Sequence, residues 1–475
     1  MLDYLNRNFM HPLMAKKSRS RHLEFLRYLE QTQFDPPEVI RARQLAALKV
    51  TLNHAYETVP YYHAAWRKAG VHPIDVKSLA DLEAFPILTK ADIRRHEKAL
   101  ISSAFDISKL RLKRTSGSTG VPLNIRIDEP AVQWKTACTI RSDQWSGYRL
   151  GQRVAKVWGN PEYRHFGLKG RLRNFFFDRA VYLDTLNLTD ERIAAFAAQL
   201  RRHRPGLIFG HAHSLYLLAC SLKKSGLAGI RPNGIISTAM LLHDWQRTVI
   251  EQVFGCPVTN RYGCEEVSLI ASECERHHGL HVNCDSVYAE INEEPNPPTP
   301  FPRREGGVSP SPLGGGVGEG SAGKLLVTDL SNRAMPLIRY QIGDMVVGSS
   351  RKCRCGRGLP MLERIEGREA DYVLTPSGSL ISGISLTENF ALLITGAAQV
   401  QIVQESLSHI RIRLVPDESF SDASYRQIDA LVEDTFGSEL QYEVELVDAI
   451  PQEPSGKYRF CISQVAREHL QAMNA

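Results

Sequence analysis

No stretch of this chain reaches the ~18 consecutive apolar residues that a membrane-spanning helix needs. The opening Met1-Leu-Asp-Tyr-Leu-Asn-Arg7 lacks the uninterrupted apolar core of a secretory signal. Both absences point to a cytoplasmic protein. Zinc-finger, RRM and KH patterns are missing as well, which argues against a nucleic-acid partner. The formal net charge of +6 comes from 58 basic and 52 acidic residues mixed along 475 positions, a balance that mildly favours anionic ligands such as nucleotides. One dense basic stretch, Lys16-Lys-Ser-Arg-Ser-Arg21, reads as a solvated segment. Nine scattered cysteines, an odd number, do not make a disulfide framework and fit reduced thiols with room for metal ligands.

The length exceeds one ordinary domain, and 43% hydrophobic residues suffice for large cores. Residues 1–105 carry helical patterns such as Val39–Tyr56, followed by turn signals at Val59–His63, and read as a helical lead-in to a large domain. From Lys109 to about Ile291, strand-like runs (Arg153–Trp158, Gly206–Phe209, Gly234–Ser237) alternate with helix-like runs (Glu191–His203, Ser214–Lys224, Trp245–Phe254). Such alternation predicts an α/β domain on a largely parallel sheet, with ligands at the strand ends. Residues 293–322, rich in Pro and Gly, have almost nothing to bury and read as a disordered insertion. The strand-like Lys324–Asp329 resumes the domain. Residues 369–475 return to short alternating strands and helices (Ala398–Gln404, Ile410–Val415, Tyr425–Phe436, Tyr442–Val447) and predict a small α+β domain.

Arg114-Thr-Ser-Gly-Ser-Thr-Gly-Val-Pro122 concentrates hydroxyls and glycines. Gly117 and Gly120 let backbone N–H groups turn inward as an anion nest, and Thr115, Ser116, Ser118 and Thr119 add hydroxyl donors for phosphate. No Lys-Ser or Lys-Thr pair follows at P-loop spacing, so the loop is not of the Walker type. Asn260-Arg-Tyr-Gly-Cys-Glu-Glu266 offers an aromatic ring for a base and carboxylates for Mg²⁺. Arg339-Tyr-Gln-Ile-Gly-Asp344 offers a carboxylate able to accept both ribose hydroxyls, and Pro454-Ser-Gly-Lys-Tyr458 ends the series.

In this order and spacing the motifs resemble the AMP-forming, acyl-adenylating superfamily, nearest its phenylacetate-CoA ligase branch with the capsule-biosynthesis relatives. The likeness extends to Val59–Tyr62 and Phe85-Pro-Ile-Leu-Thr-Lys90 and spares only the insertion. It implies an α/β fold with a large N-terminal adenylate-forming domain, its core at 106–368, and a small mobile C-terminal domain. The expected activity is activation of an aryl or arylacetic acid by ATP to an acyl-AMP, then transfer to coenzyme A. In that scheme Thr115–Gly120 wrap the β- and γ-phosphates, Tyr262 packs on adenine, Gly263 is a further nucleotide-binding residue, and Glu266 holds Mg²⁺. Asp344 and Arg368 bind ribose, Asp371 is the hinge, and Lys457 enters for adenylation. Two departures stand out: Val121-Pro-Leu123 replaces the lysine of many members, and Glu265 stands where relatives carry threonine or serine near the α-phosphate, where a carboxylate would repel.

Cys274, His281, Cys353 and Cys355 compose a Cys₃His set suited to structural zinc, with His277 or His278 as substitutes for His281. The resemblance sets the acyl pocket near Trp158-Gly159, Gly210–Ser214 with its His211 and His213, and Ser237–Met240. Two other functions fit the motifs: activation of an acid for a saccharide or carrier acceptor instead of coenzyme A, and nucleotide binding without turnover.

Overall fold

The computed structural model describes every residue except 1, 116–122, 159–166, 186–189, 228, 293–321, 366–371, 377–379, 383–385, 387–389, 391–392, 438, 451–460, 467 and 470–475. Of the expected site, Ser116–Gly120, Arg368, Asp371 and Lys457 therefore lie outside the described residues, as does all but the end of the 293–322 insertion.

The lead-in forms because its apolar residues recur at helical spacing. Helix Pro37–Thr58 buries Ile40, Leu48, Leu52 and Ala55 along one face. The Pro-Tyr-Tyr expected as a turn instead opens a second helix, Pro60–Ala69, closed by Gly70 at φ 70°. Proline suits the first helical turn, where its missing N–H has no partner to lose.

Strands β1 (Arg111–Arg114) and β2 (Asn124–Ile127) form an antiparallel hairpin. An eleven-stranded sheet follows. Its strands are β3 (Val154–Val157), β4 (Ala180–Leu183), β5 (Leu207–His211), β6 (Gly234–Thr238), β7 (Val258–Cys264), β8 (Ser268–Glu273), β9 (Leu280–Val282), β10 (Val287–Asn292), β11 (Ala322–Asp329), β12 (Tyr340–Ser349) and β13 (Met361–Ile365). They lie in the order β10-β11-β12-β13-β9-β8-β7-β6-β5-β3-β4.

Strands β3 to β7 are parallel, as the alternation predicts. From β7 onward the sheet is antiparallel. The cause is connection length: three residues join β7 to β8, whereas a parallel crossover needs a dozen or more. Strands β10 and β11 pair from Val287↔Asp329 to Asn292↔Lys324, so residues 293–321 connect two arms of one hairpin.

Beyond residue 371, β14 (Tyr372–Leu374) pairs with β15 (Leu380–Ser382), and a four-stranded sheet runs β18 (Gln441–Leu446), β17 (His409–Pro416), β16 (Ala397–Ser406), β19 (Cys461–Ser463), with helix Asp422–Phe436. Alternation explains β17: Ile410, Ile412 and Leu414 are buried, while Arg411 and Arg413 face out to Glu443 and Glu445 at 2.5 and 3.1 Å. This unit has its own core with Phe390, Ile428 and Phe436 and touches the larger one where Leu217 packs on Leu374 and Ala466.

Helix Glu129–Trp145 crosses the back of the antiparallel strands, anchored by a buried ion pair of Lys135 Nζ to Asp329 Oδ2 at 2.6 Å. Asp329 also accepts from Ser331 and Asn332 N–H. Lys135→Met should lower stability by about 3–5 kcal/mol, because it leaves Asp329 buried without its cation. Urea unfolding measures this; a loss below about 1 kcal/mol would show that the pair is dispensable.

Candidate active site

The phosphate-loop motif is closed at its neck. Thr115 N–H donates to the Leu123 carbonyl at 3.0 Å, and Leu123 N–H donates to Thr115 Oγ1 at 2.8 Å. Thr115 is buried, so its hydroxyl oxygen serves first to join the stems of the loop. From the hairpin below, Lys113 Nζ reaches Ser268 Oγ at 3.1 Å and Glu265 Oε2 at 3.9 Å. The loop thus emerges beside the β7–β8 turn that carries the second motif. Burial lowers the Lys113 pKa, with Glu265 acting against it. Glu265 is exposed and directed to this lysine.

Two irregularities in the sheet bring the nucleotide candidates together. On β7 the register shifts between Tyr262 and Gly263. A Cβ at Gly263 would stand 2.5 Å from the Ser268 carbonyl oxygen, so only glycine permits this close approach. On β12, Gly343 adopts φ 91° opposite the irregular pairing between Lys324 and Leu326, which turns Asp344 toward β7. The Tyr262 hydroxyl then donates to Asp344 Oδ2 at 2.7 Å. Asp344 is buried. Glu266 is buried too, and the Tyr340 hydroxyl donates to its Oε1 at 2.9 Å. Burial, with Glu266 adjacent, keeps the Cys264 thiol well above its usual range.

The lead-in motifs hold β12 in place. Leu88 bridges to Tyr340, with Leu88 N–H on the Arg339 carbonyl at 3.1 Å and Gln341 N–H on the Leu88 carbonyl at 2.9 Å. Tyr62 donates to the Pro336 carbonyl at 2.8 Å and accepts from Ile338 N–H at 3.0 Å. Arg339, at φ 49°, spends its guanidinium on the Glu83 and Phe85 carbonyls, each at 2.6 Å, and on Glu290 at 3.0 Å. Lys113, Arg339 and Tyr340 were not singled out from the sequence. Their only signal is that each sits within or next to a motif.

The parallel strands end in an aromatic wall. Trp158 stacks on Phe209 at 5.4 Å and lies 3.8 Å from the His211 ring, and the Arg261 guanidinium covers Phe209 at 4.6 Å. His211, His213 and Ser237 are fully buried. Among the described residues neither ring nitrogen of His211 nor the Ser237 hydroxyl has a hydrogen-bond partner.

The four zinc-type residues converge. Cys274 follows β8, His281 lies on β9, and Cys353 and Cys355 lie between β12 and β13. Their ligand atoms all fall within 4.8 Å of one another, with Cys274 Sγ to Cys353 Sγ at 3.6 Å and Cys355 Sγ to His281 Nε2 at 3.3 Å. Zinc bonds of about 2.3 Å to sulfur and about 2.0 Å to nitrogen set tetrahedral ligands roughly 3.5–3.8 Å apart, so the cluster fits that ion. His277 is instead engaged with Glu273 at 3.1 Å, and His278 is exposed. The lead-in clasps this knuckle as well: Gly358 N–H donates to the Gln33 carbonyl at 3.0 Å, and Arg357 reaches Gln33 Oε1 at 2.9 Å while lying 4.7 Å over Trp145.

Solved structures share this architecture. A 2-hydroxyisobutyryl-CoA ligase in its thioesterification state superposes with TM-score 0.59 over 94% of each chain at 20% identity, and an open form of that ligase with TM-score 0.53 over 88% of this chain and 90% of its own at 21% identity. The fold is that of the adenylate-forming coenzyme A ligases. Within it, the phenylacetate-coenzyme A ligase of Thermus thermophilus is 26% identical over 356 residues, 73% of this chain and 74% of that protein. That of Escherichia coli K12 is 27% identical over 371 residues, 73% and 76% respectively. Protein CapK of Staphylococcus aureus is 20% identical over 456 residues, 93% and 87%, and the CapK C-terminal domain family matches residues 373–464. The chain is a homologue of the phenylacetate-coenzyme A ligases and of CapK.

Burial holds the His211 imidazole at about 3, and that of His213 likewise, with His211 adding to the effect. An unfolded histidine titrates near 6.5, so the unfolded chain binds protons first as pH falls. Stability should therefore drop from about pH 6.5 downward, by up to about 1.4 kcal/mol per pH unit for each imidazole. His211→Phe should flatten this dependence in thermal melts between about pH 7.5 and about pH 5. A variant slope equal to that of the parent would show that His211 does not carry it.

Proposed function

We propose that this protein is an AMP-forming carboxylate–CoA ligase of the phenylacetate-ligase type, acting on an aryl or arylacetic acid in the cytoplasm. The observation that carries this reading is the convergence of Tyr262, Asp344 and Glu266 at the β7 and β12 irregularities beside the neck of the phosphate loop. The Tyr262 ring, pinned at its hydroxyl, packs on adenine, with Gly263 allowing close backbone approach. Asp344 accepts hydrogen bonds from the ribose hydroxyls, and the Arg368 guanidinium donates to a ribose oxygen. Thr115 closes a loop whose residues Ser116, Gly117, Ser118, Thr119 and Gly120 bind the β- and γ-phosphates.

Glu266, with one oxygen fixed by Tyr340, is the carboxylate for Mg²⁺, an ion that takes one or two protein carboxylates plus phosphate oxygens. When bound, Mg²⁺ supplies positive charge against the triphosphate. The substrate carboxylate attacks the α-phosphorus, the bond to pyrophosphate breaks, and Lys457 neutralises the charge that develops. In the second step the thiol of coenzyme A gives up its proton to solvent, its sulfur bonds to the acyl carbon, and the bond from that carbon to the phosphate oxygen breaks as AMP leaves. Movement of the C-terminal unit about Asp371 withdraws Lys457 between the two steps.

The Cys274, His281, Cys353 and Cys355 knuckle binds zinc in a closed, structural site. Cys353→Ser should abolish the roughly one equivalent of zinc per chain and lower the melting temperature. Metal analysis of the purified protein reads this directly, and zinc retained at the parent level would refute the assignment.

A second reading is favoured by the greater reach of the CapK match along this chain and by the CapK-type C-terminal unit: the acyl group passes to an acceptor other than coenzyme A. Pyrophosphate release with ATP, Mg²⁺ and a panel of aryl and aliphatic acids, with and without coenzyme A, tests both readings. Acid-dependent release with thioester formation is expected, and release without thioester would favour the second reading. Lys457→Ala should cut release by at least about a hundredfold while leaving ATP affinity nearly intact. Unchanged release in that variant would remove Lys457 from the mechanism, and no release from parent protein that binds ATP would overturn ligase activity.

A further inference from the structure

The first helical segments are amphipathic the wrong way round for a packed helix. Across Leu2–Leu5, Asn6–Met10 and His11–Lys17, the residues at helical spacing on the outer face are Leu2, Leu5, Phe9 and Leu13, exposed by 56, 40, 59 and 64%. The inward residues are Asn6 and Ala15.

A second segment repeats the pattern. Along Gly167–Arg173 and Asn174–Asp178, Leu168, Leu172, Phe175 and Phe176 are exposed by 74, 50, 70 and 46%, whereas Gly170 faces in. The two segments pack together: Asn6 donates to the Phe176 carbonyl, and Asp3 pairs with Arg179 at 2.6 Å. Their outward stripes therefore adjoin, next to the sheet's edge strand β4.

A monomer in water gains nothing from so many large apolar side chains in one patch. The surrounding charge identifies what covers it. Residues 2–21 and 167–178 contain eight lysines and arginines against two carboxylates, and both carboxylates are already paired, Asp3 with Arg179 and Asp178 with Arg173. Lys16, Lys17, Arg19, Lys169 and Arg171 are exposed beside the stripes. Two copies of this face would bring like charges together. Apolar side chains ringed by lysine and arginine instead match the boundary between acyl chains and anionic headgroups.

We propose that this patch docks the protein on the surface of an anionic lipid bilayer, without spanning it. Lys16, Lys17 and Arg19 of the Lys16–Arg21 run, which by itself reads as merely solvated, are the electrostatic part of that surface, Arg21 being paired with Glu24.

The test is co-sedimentation of the full chain with phosphatidylcholine vesicles, with and without phosphatidylglycerol. Binding only to the phosphatidylglycerol vesicles, reversed by added salt, is expected. Lys16→Gln with Lys17→Gln should weaken binding about fivefold for each charge removed. Phe9→Ser with Phe175→Ser should weaken it at least about tenfold. All four side chains are exposed, so melting temperatures equal to the parent's would separate lost docking from lost folding. Failure to sediment with either vesicle, equal binding to neutral vesicles, or self-association that ignores vesicles would each overturn the proposal. None of these outcomes depends on the ligase reading.

Discussion

The fixed position of β12 is the constraint on which the candidate site rests. Arg339 enters the strand at φ 49°, a conformation that costs a non-glycine residue of order 1 kcal/mol or more. Its guanidinium offsets that cost through Glu290 and two backbone carbonyls. Tyr62 and Leu88 secure the same stretch from the lead-in. Asp344 and Tyr340 are consequently presented at set points, and each holds or is held by a β7-side residue, Tyr262 and Glu266 respectively. The helical lead-in is thus a brace for a strand roughly 250 positions downstream in the sequence, not a separate module.

The same logic governs the Cys₃His cluster. Cys274 directly follows β8, His281 lies on β9, and Cys353 and Cys355 lie in the connection between β12 and β13. A closed Cys₃His ion would cross-link the strand after Tyr262's partner to the strand after Asp344. The clasp of Gln33, Trp145 and Arg357 packs against one side of it. At the other end, the parallel strands deliver His211 and Ser237 into a dry, aromatic environment where an unsatisfied polar group is costly. The antiparallel half of the sheet is therefore braced by the lead-in, whereas the parallel half ends in buried imidazole and hydroxyl groups packed against aromatic rings.

Much of this was legible in the sequence, and the pattern of what was not is physical. Helices and strands with clean periodicity, such as Pro37–Thr58, Ala212–Lys224 and His409–Pro416, lie within a few residues of where alternation sets them. Pro60 was misleading because proline favours both turns and first helical positions. The switch to antiparallel pairing after β7 depends on a three-residue connection, a feature that period analysis does not register. The Cys₃His candidates carry a signal because thiolate and imidazole chemistry narrows the choices; His281 lies with the three thiols, whereas His277 meets Glu273. The contact of Glu265 with Lys113, far away in sequence, has no local signal. The bulges that join Tyr262 to Asp344 carry only glycine as their sequence mark.

The most direct test of the account is a binding cycle between Asp344 and the ribose hydroxyls, comparing ATP with 2′,3′-dideoxy-ATP by calorimetry in the parent and in Asp344→Ala. Hydrogen bonds to a charged group contribute about 1.5–3 kcal/mol, so the parent should favour ATP by roughly tenfold or more while the variant loses most of that preference. Equal discrimination by both proteins would contradict the assignment of Asp344, and with it the claim that the β7–β12 junction is where the nucleotide binds.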